Sequence, residues 1–331
     1  MAAEKLARGN FPGGASVVVF EERVGWEKPC GGGLTTKALR CYPFLRSAST
    51  ELNFVRELEL WAANGASVRV GLREPLAIYS RGILNGLLLA RAEEAGAEII
   101  QDRVLDLQRA RRGWQLAGRR ETYQADYVVV AAGARSRLRR GLAEDFTAQD
   151  FMLTLGYYVP GADGLARVQF FENFEGYAWA FPRPDHRSIG ICAKIGESRM
   201  AGLRERLHAF MRKFGYAVES ATVYSHLLPS LTVESWSNLR LLGQGWALVG
   251  DAAGLVDPVT GEGIYYAMRS GELLADVLLA GETSSGQIPA SSHDPGVHTG
   301  VYHPDREIHK GTPVAHQAGH CYAEWLRHWG L

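Results

Sequence analysis

The stretch Gly250-Asp251-Ala252-Ala253-Gly254-Leu255-Val256-Asp257-Pro258-Val259-Thr260-Gly261-Glu262-Gly263-Ile264 constrains the fold more than any other part of the chain. It follows an apolar run at 246–249 and precedes a helical pattern over about 264–279, so it reads as strand, loop, helix. Such a loop presents one carboxylate and several bare backbone N–H groups beside a helix N-terminus, which favours negative charge. Gly254, Gly261 and Gly263 allow close backbone approach to a flat or charged ligand, and Pro258 stiffens the loop. This chemistry suits a dinucleotide.

Other segments read as parts of the same α/β plan. Residues 1–9 have the composition of a helix interior, ended by Gly9 and Asn10. The run 15–20 is apolar at nearly every position, as in a buried parallel strand, and ends on Glu21 and Glu22. An acid at the end of the second strand of a Rossmann unit receives the hydroxyls of an adenosine ribose. The strand and G-x-G-x-x-G turn that open such a unit are expected upstream of Met1. Three consecutive glycines follow Cys30, a pattern suited to a sharp bend or a close approach to ligand. An amphipathic helix is predicted over 82–95, with Ile83, Leu84, Leu87, Leu88 and Ala92 on its apolar side. A strand at 98–101, a hairpin over 104–123 and a second buried parallel strand over 125–136, ending in small residues, come next.

Arginines 109, 111, 112, 119 and 120 alternate with apolar residues, so a solvated hairpin face is favoured over a nucleic-acid patch. With 36 basic and 36 acidic residues in 331, the net charge is zero and no global argument points to nucleic acid. Arg135, Arg137, Arg139 and Arg140 read equally as phosphate contacts or as surface charges. Residues 151–242 alternate strictly over short runs, predicting an antiparallel sheet with one aromatic face, a strand at 188–194 and a helix over 200–216. Beside a cofactor loop, that aromatic face is a candidate apolar pocket.

The four cysteines show no C-x-x-C spacing, the start has no signal-peptide pattern, and no run approaches the roughly 18 apolar residues of a membrane span. These features point to a reducing cytoplasm. From 281 the composition shifts to Gly, Ser, Pro, Thr and His, with seven of the ten histidines between His293 and His328. A low-complexity tail over 281–331 is expected there, rather than a metal site at His316 and His320.

Pro29-Cys30-Gly31-Gly32-Gly33, Tyr177-x-Trp179-x-Phe181-Pro182 and Gly250-Asp251-Ala252-Ala253-Gly254 with Pro258 and Gly261-Glu262-Gly263 resemble the geranylgeranyl reductase family. These are FAD-dependent oxidoreductases within the para-hydroxybenzoate hydroxylase-like flavoprotein group. The similarity spans about 1–280. It implies an α/β (α+β overall) fold: a Rossmann-like FAD-binding domain with a parallel sheet, from 1–40, 76–150 and 240–280, and a mostly antiparallel substrate-binding domain from 41–75 and 151–239.

The resemblance also implies roles. Glu21 would hold the adenosine ribose, Val104 the adenine, and Arg81 the region of the flavin and its phosphates. Asp251, after Gly250, would bond the ribityl chain, with Pro258, Gly261, Gly263 and Ile264 along the flavin ring. Cys30, Gly31 and Gly32 would face the flavin on the substrate side, and Cys30 is a candidate proton donor. Tyr177, Trp179 and Phe181 would line a tunnel for a polyprenyl chain. The implied reaction is hydride transfer from reduced FAD to C=C bonds of an isoprenoid or prenylated lipid or quinone, with NAD(P)H or ferredoxin as electron donor and a membrane surface as the greasy substrate's source.

An FAD-dependent aromatic monooxygenase and a flavin-free remnant without activity are the alternatives. Two departures from the family stand out. Phe174 occupies a position where the family has Pro, and without the opening glycine turn the chain as written is expected to hold FAD poorly.

Overall fold

The computed structural model describes residues 1–9, 16–47, 52–161, 164–196, 200–218 and 221–280. The chain opens with α1 (Ala2–Arg8), β1 (Val18–Phe20), β2 (Gly33–Leu34), α2 (Thr36–Cys41) and α3 (Phe44–Ser47). A long hairpin, β3 (Leu52–Trp61) and β4 (Ser67–Tyr79), leads into α4 (Arg81–Glu94) and β5 (Glu98–Ile100). The meander β6 (Val104–Arg109), β7 (Trp114–Gly118) and β8 (Thr122–Ala125) precedes β9 (Val128–Val130). Then come β10 (Phe151–Pro160), β11 (Ala166–Phe170), β12 (Gly176–Pro182), β13 (His186–Lys194), α5 (Met200–Lys213), β14 (Thr222–Pro229) and α6 (Val233–Ser237). The last elements are β15 (Leu242–Gly243), β16 (Trp246–Leu248) and α7 (Ile264–Leu279).

The short parallel strands β1 and β5, and β9 and β16, lie in two separate small sheets. β1 pairs in parallel with β5, and β16 pairs in parallel with β9 and antiparallel with β15. Parallel pairing agrees with the apolar runs, but Val18 is 38% exposed, and β1 is hydrogen-bonded on one edge only among the described residues. The run read as one strand over 125–136 is divided, and its parallel part ends at Val130. Ala125 pairs with Trp114 in the meander, whereas Val128 pairs with Trp246 in the parallel sheet, and one straight strand cannot serve both ladders. In α4, Leu84 and Ala92 are buried, but Ile83 is 37% exposed. It lies one position off the stripe that 3.6 residues per turn sends inward.

The second layer is an eight-stranded sheet ordered β14-β10-β13-β12-β11-β3-β4-β2, antiparallel except where β11 meets β3. Its alternation sorts β12 cleanly. Ala178 and Ala180 face α5, where Leu203, Leu207, Phe210 and Met211 pack against them and against Leu155, Ile189 and Ile191. Each such fully buried side chain contributes on the order of 1.5–3 kcal/mol, so packing holds α5 in place more than helix propensity does. Tyr177, Trp179 and Phe181 project from the opposite face, as strand period two requires. Phe174 meets Phe171 edge-to-face beneath Arg206 in the α5 cluster, so this departure from the family pattern lies on the sheet face away from the three aromatics. The tail 281–331, with His316 and His320, lies outside the described residues.

Candidate active site

The loop after β16 and the aromatic face of β12 meet in one cavity of about 270 Å³. Gly250–Ala253 forms a single 3-10 turn closed by Gly254 in the left-handed region, followed by the loop that delivers α7. That loop is stiffened from within: Asp257 Oδ1 accepts from the backbone N–H groups of Val259 (2.9 Å) and Thr260 (2.8 Å) and from Thr260 Oγ1 (3.1 Å). Gly261 has a φ of +69°, and a side chain there would press on the Tyr177 hydroxyl at 3.0 Å. Tyr177 donates that hydroxyl to the Thr260 carbonyl, fastening loop to sheet. α7 has Gly263 as its N-cap residue, and Glu262 Oε1 accepts the Tyr265 N–H of its first turn at 3.0 Å. Its first N–H groups are a favourable place for negative charge beside the cavity.

The opposite wall is the Cys30 loop. Arg183, fully buried just past β12, donates to the Cys30 carbonyl at 2.7 Å and to the Glu27 carboxylate. Ser188 Oγ donates to the same carbonyl at 2.9 Å. Glu27 also accepts from the backbone N–H groups of Arg81 (2.8 Å) and Gly82 (3.1 Å), capping α4 from outside its own sequence. Burial pushes the Glu27 carboxyl up, but Arg183 and these hydrogen bonds outweigh it and hold the group below the ordinary range. Gly32, at φ +79°, is irreplaceable on steric grounds: an added Cβ would sit 2.2 Å from the Tyr79 carbonyl.

Asp251, Lys28, Arg81, His226 and Glu262 give the cavity its electrostatics. Asp251 pairs with Lys28 at 2.9 Å; burial would raise its carboxyl, but Lys28 foremost, then Arg81, keeps it below the usual carboxylate range. Burial, reinforced by Lys28, pushes His226 down to about 4, so its imidazole is neutral. Burial drives Glu262 up to about 7, although its Oε1 accepts from the Tyr265 N–H at 3.0 Å.

Of the residues singled out from sequence, Cys30, Gly31, Gly32, Arg81, Tyr177, Trp179, Phe181, Gly250, Asp251, Gly261, Gly263 and Ile264 all line this cavity. Glu21, Val104 and Pro258 do not. Glu21 follows β1, where its carboxylate accepts the Arg23 N–H at 2.8 Å. Val104 packs into the meander core, and Pro258 is exposed on the outer turn of its loop. Arg139 is neither a phosphate contact nor a surface charge. It is buried, donating to the carbonyls of Glu144 (2.6 Å) and Ala252 (3.0 Å), and so supports the Asp251 turn from behind. Lys28, Arg183, His226 and Thr154 are cavity or loop residues that sequence reasoning passes over. Arg183, directly after the aromatic motif, and Lys28, directly before Pro29-Cys30, are the positions that carry a local signal.

The sequence profile described as FAD dependent oxidoreductase matches residues 48–277, which include the Asp251 turn and the aromatic strand. The chain belongs to the FAD-dependent oxidoreductase family. The cavity fits the flavin end of that cofactor: Arg81 Nε, Trp179 Nε1 and His226 Nε2 are buried on its walls without partners among the described residues, and the α7 N-terminus adjoins it. Within this flavoprotein family the chain is similar to the chloroplastic geranylgeranyl diphosphate reductase of rice, 26% identical over 334 residues covering 88% of this chain and 66% of the relative. It is also similar to the geranylgeranyl diphosphate reductase of Synechocystis, 26% identical over 88% of this chain and 75% of that one. The chain thus spans about two thirds to three quarters of these relatives' lengths. In fold it is similar to a geranylgeranyl bacteriochlorophyll reductase-like protein of Thermoplasma acidophilum, at TM-score 0.73 and 22% identity, covering 86% of this chain and 76% of that one. A flavin-dependent brominase shares the fold at TM-score 0.66 and 17% identity, covering 84% of this chain and 75% of that one.

Among the described residues no helix is long and apolar enough to cross a membrane, and no cluster of three or more metal-ligating side chains occurs.

Proposed function

We propose that this flavoprotein reduces carbon–carbon double bonds of a polyprenyl chain. The observation that carries the reading is the meeting, in one cavity, of the Asp251–Gly263 loop with the apolar wall of Tyr177, Trp179 and Phe181. Both curated relatives named above are geranylgeranyl diphosphate reductases, which favours this reading over an aromatic monooxygenase.

When bound, reduced FAD supplies the hydride. The chain's own residues do the rest. Asp251 accepts hydrogen bonds from the ribityl hydroxyls. Gly261, Gly263, Ile264 and the α7 N-terminus receive the ring, with Pro258 stiffening their loop and Arg81 serving the phosphates. Glu21 and Val104 hold the adenosine end. Tyr177, Trp179 and Phe181 align the prenyl chain and exclude water, while Gly31 and Gly32 let the Cys30 loop lie close to it. The Cys30 thiol, which accepts the Gly32 N–H at 3.3 Å, holds the proton for the second alkene carbon.

NAD(P)H or ferredoxin supplies electrons, and the substrate, an isoprenoid or a prenylated lipid or quinone, is taken from the surface of the membrane. Residues 1–40, 76–150 and 240–280 make up the cofactor half, and 41–75 with 151–239 the substrate half.

The test is anaerobic incubation of the FAD-reconstituted chain, reduced with dithionite, with geranylgeranyl diphosphate. Mass spectrometry should show two hydrogens gained per reduced double bond. Unchanged substrate, with hydroxylation of phenols in air instead, would overturn the reading.

A further inference from the structure

Lys28 Nζ lies 2.9 Å from Asp251 Oδ2, joining the two loops that face each other across the cavity from positions 223 residues apart in sequence. The ion pair is largely screened from water, with side-chain exposures of 22% and 13%. A carboxylate that accepts hydroxyl hydrogens from a ligand must be ionised, and burial opposes ionisation. The charged groups facing Asp251 are Lys28 from the loop before β2 and Arg81 from the start of α4; His226, on β14, is neutral and adds no charge near neutral pH. Lys28 is the one in direct contact. It takes Oδ2 and leaves Oδ1 on the side of Gly263, where an added Cβ would stand 3.3 Å from that oxygen. The free acceptor therefore faces the approach to α7.

We propose that Lys28 is the positioning residue of the cofactor-binding carboxylate: it holds Asp251 charged and turned so that Oδ1 receives a hydroxyl of the ribityl chain. This rests on the reading of Asp251 given above. The lysine's own loop is fixed independently, by Arg183 on Glu27 and on the Cys30 carbonyl and by Tyr158, whose hydroxyl reaches the Lys28 carbonyl at 3.4 Å. The ammonium is thus presented from a rigid support, as a positioning group needs.

Riboflavin, which carries the ring and ribityl chain without the pyrophosphate, is the probe, with binding followed by flavin fluorescence in the full chain. Titrations over about pH 5–9 cover the range in which buried carboxyls that lose a cationic partner titrate. Wild type should bind with little pH dependence, and Asp251→Asn weakly throughout. Lys28→Met should match wild type at the alkaline end and lose about tenfold in affinity per pH unit below the raised Asp251 titration. Lys28→Arg should restore the flat profile. Wild-type affinity and profile in Lys28→Met would overturn the proposal, as would uniform weakening in both Lys28 variants, the mark of a packing role. A wild-type chain that binds no riboflavin, or binds it indifferently to Asp251→Asn, would instead sink the reading of the site on which the proposal stands. Circular dichroism of each variant confirms folding.

Discussion

The Arg183 guanidinium, with no exposure to solvent, donates to the Cys30 carbonyl oxygen at 2.7 Å across 153 residues of sequence. One buried cation thereby fixes the position of the glycine loop, the Glu27 carboxylate and, through Glu27, the first turn of α4.

Replacing Arg183 by Met should therefore do more than remove a charge. Removing one partner of a buried pair costs about 3–5 kcal/mol, and the lower end applies because Glu27 remains partly exposed. Urea denaturation measures the loss. Alkylation of Cys30, followed peptide by peptide, should accelerate as the loop is freed; an unchanged rate would show that Arg183 does not hold it.

Gly190 stands opposite Trp179 on the neighbouring strand, and an added Cβ would come within 2.3 Å of the indole ring. Gly190→Ala should cost about 1–3 kcal/mol, as overpacking does. The cost should shrink in a Trp179→Phe background, since contacting residues are coupled. Equal costs in both backgrounds would rule out the contact.

Glu262 links stability to pH. Its carboxyl is raised from 4.5 to about 7, so the folded state favours the protonated form. The stabilisation is complete below about pH 4.5 and is lost as pH rises through 7. At pH 8, Glu262→Gln should be more stable than wild type by up to about 3 kcal/mol, the free energy of holding a proton across that interval of pH. Thermal unfolding at about pH 5 and pH 8, either side of the titration, tests this. A variant no more stable at the alkaline pH would contradict it.

Asp150 works in the opposite sense. Burial raises its carboxyl, but hydrogen bonds from Thr232 and Thr147 prevail and bring it to about 2. That stabilisation is present above the ordinary value of 3.8 and vanishes as pH falls towards 2. Asp150→Asn should lose about 2 kcal/mol at neutral pH and show a flatter acid limb in urea titrations. A limb as steep as wild type would place the acid sensitivity elsewhere.

Much of this architecture is legible in the sequence because it is periodic. The alternation through Tyr177, Trp179 and Phe181 determines which face of β12 carries the aromatics, and the small residues from Gly250 to Gly263 mark the loop. What escapes reading depends on contacts between distant segments. No local pattern announces that Lys28 meets Asp251, or that Arg183 meets Cys30, since the fold brings each pair together. Arg139 is ambiguous for the same reason: one arginine in a basic cluster is buried because the Ala252 carbonyl happens to lie behind it. Glu21 does follow a parallel strand, yet nothing in the apolar run reveals that this strand lies in a different sheet from β9 and β16.

The pairing of Gly190 with Trp179 also bears on how such a pocket changes over generations. Position 190 is absent from the cavity wall, yet its lack of a side chain is what admits the largest ring on that wall. The two positions are coupled, because a side chain at 190 meets the ring. A lineage that shrinks the indole releases its cross-strand neighbour from glycine, and once that neighbour has grown, a return to tryptophan carries the overpacking cost.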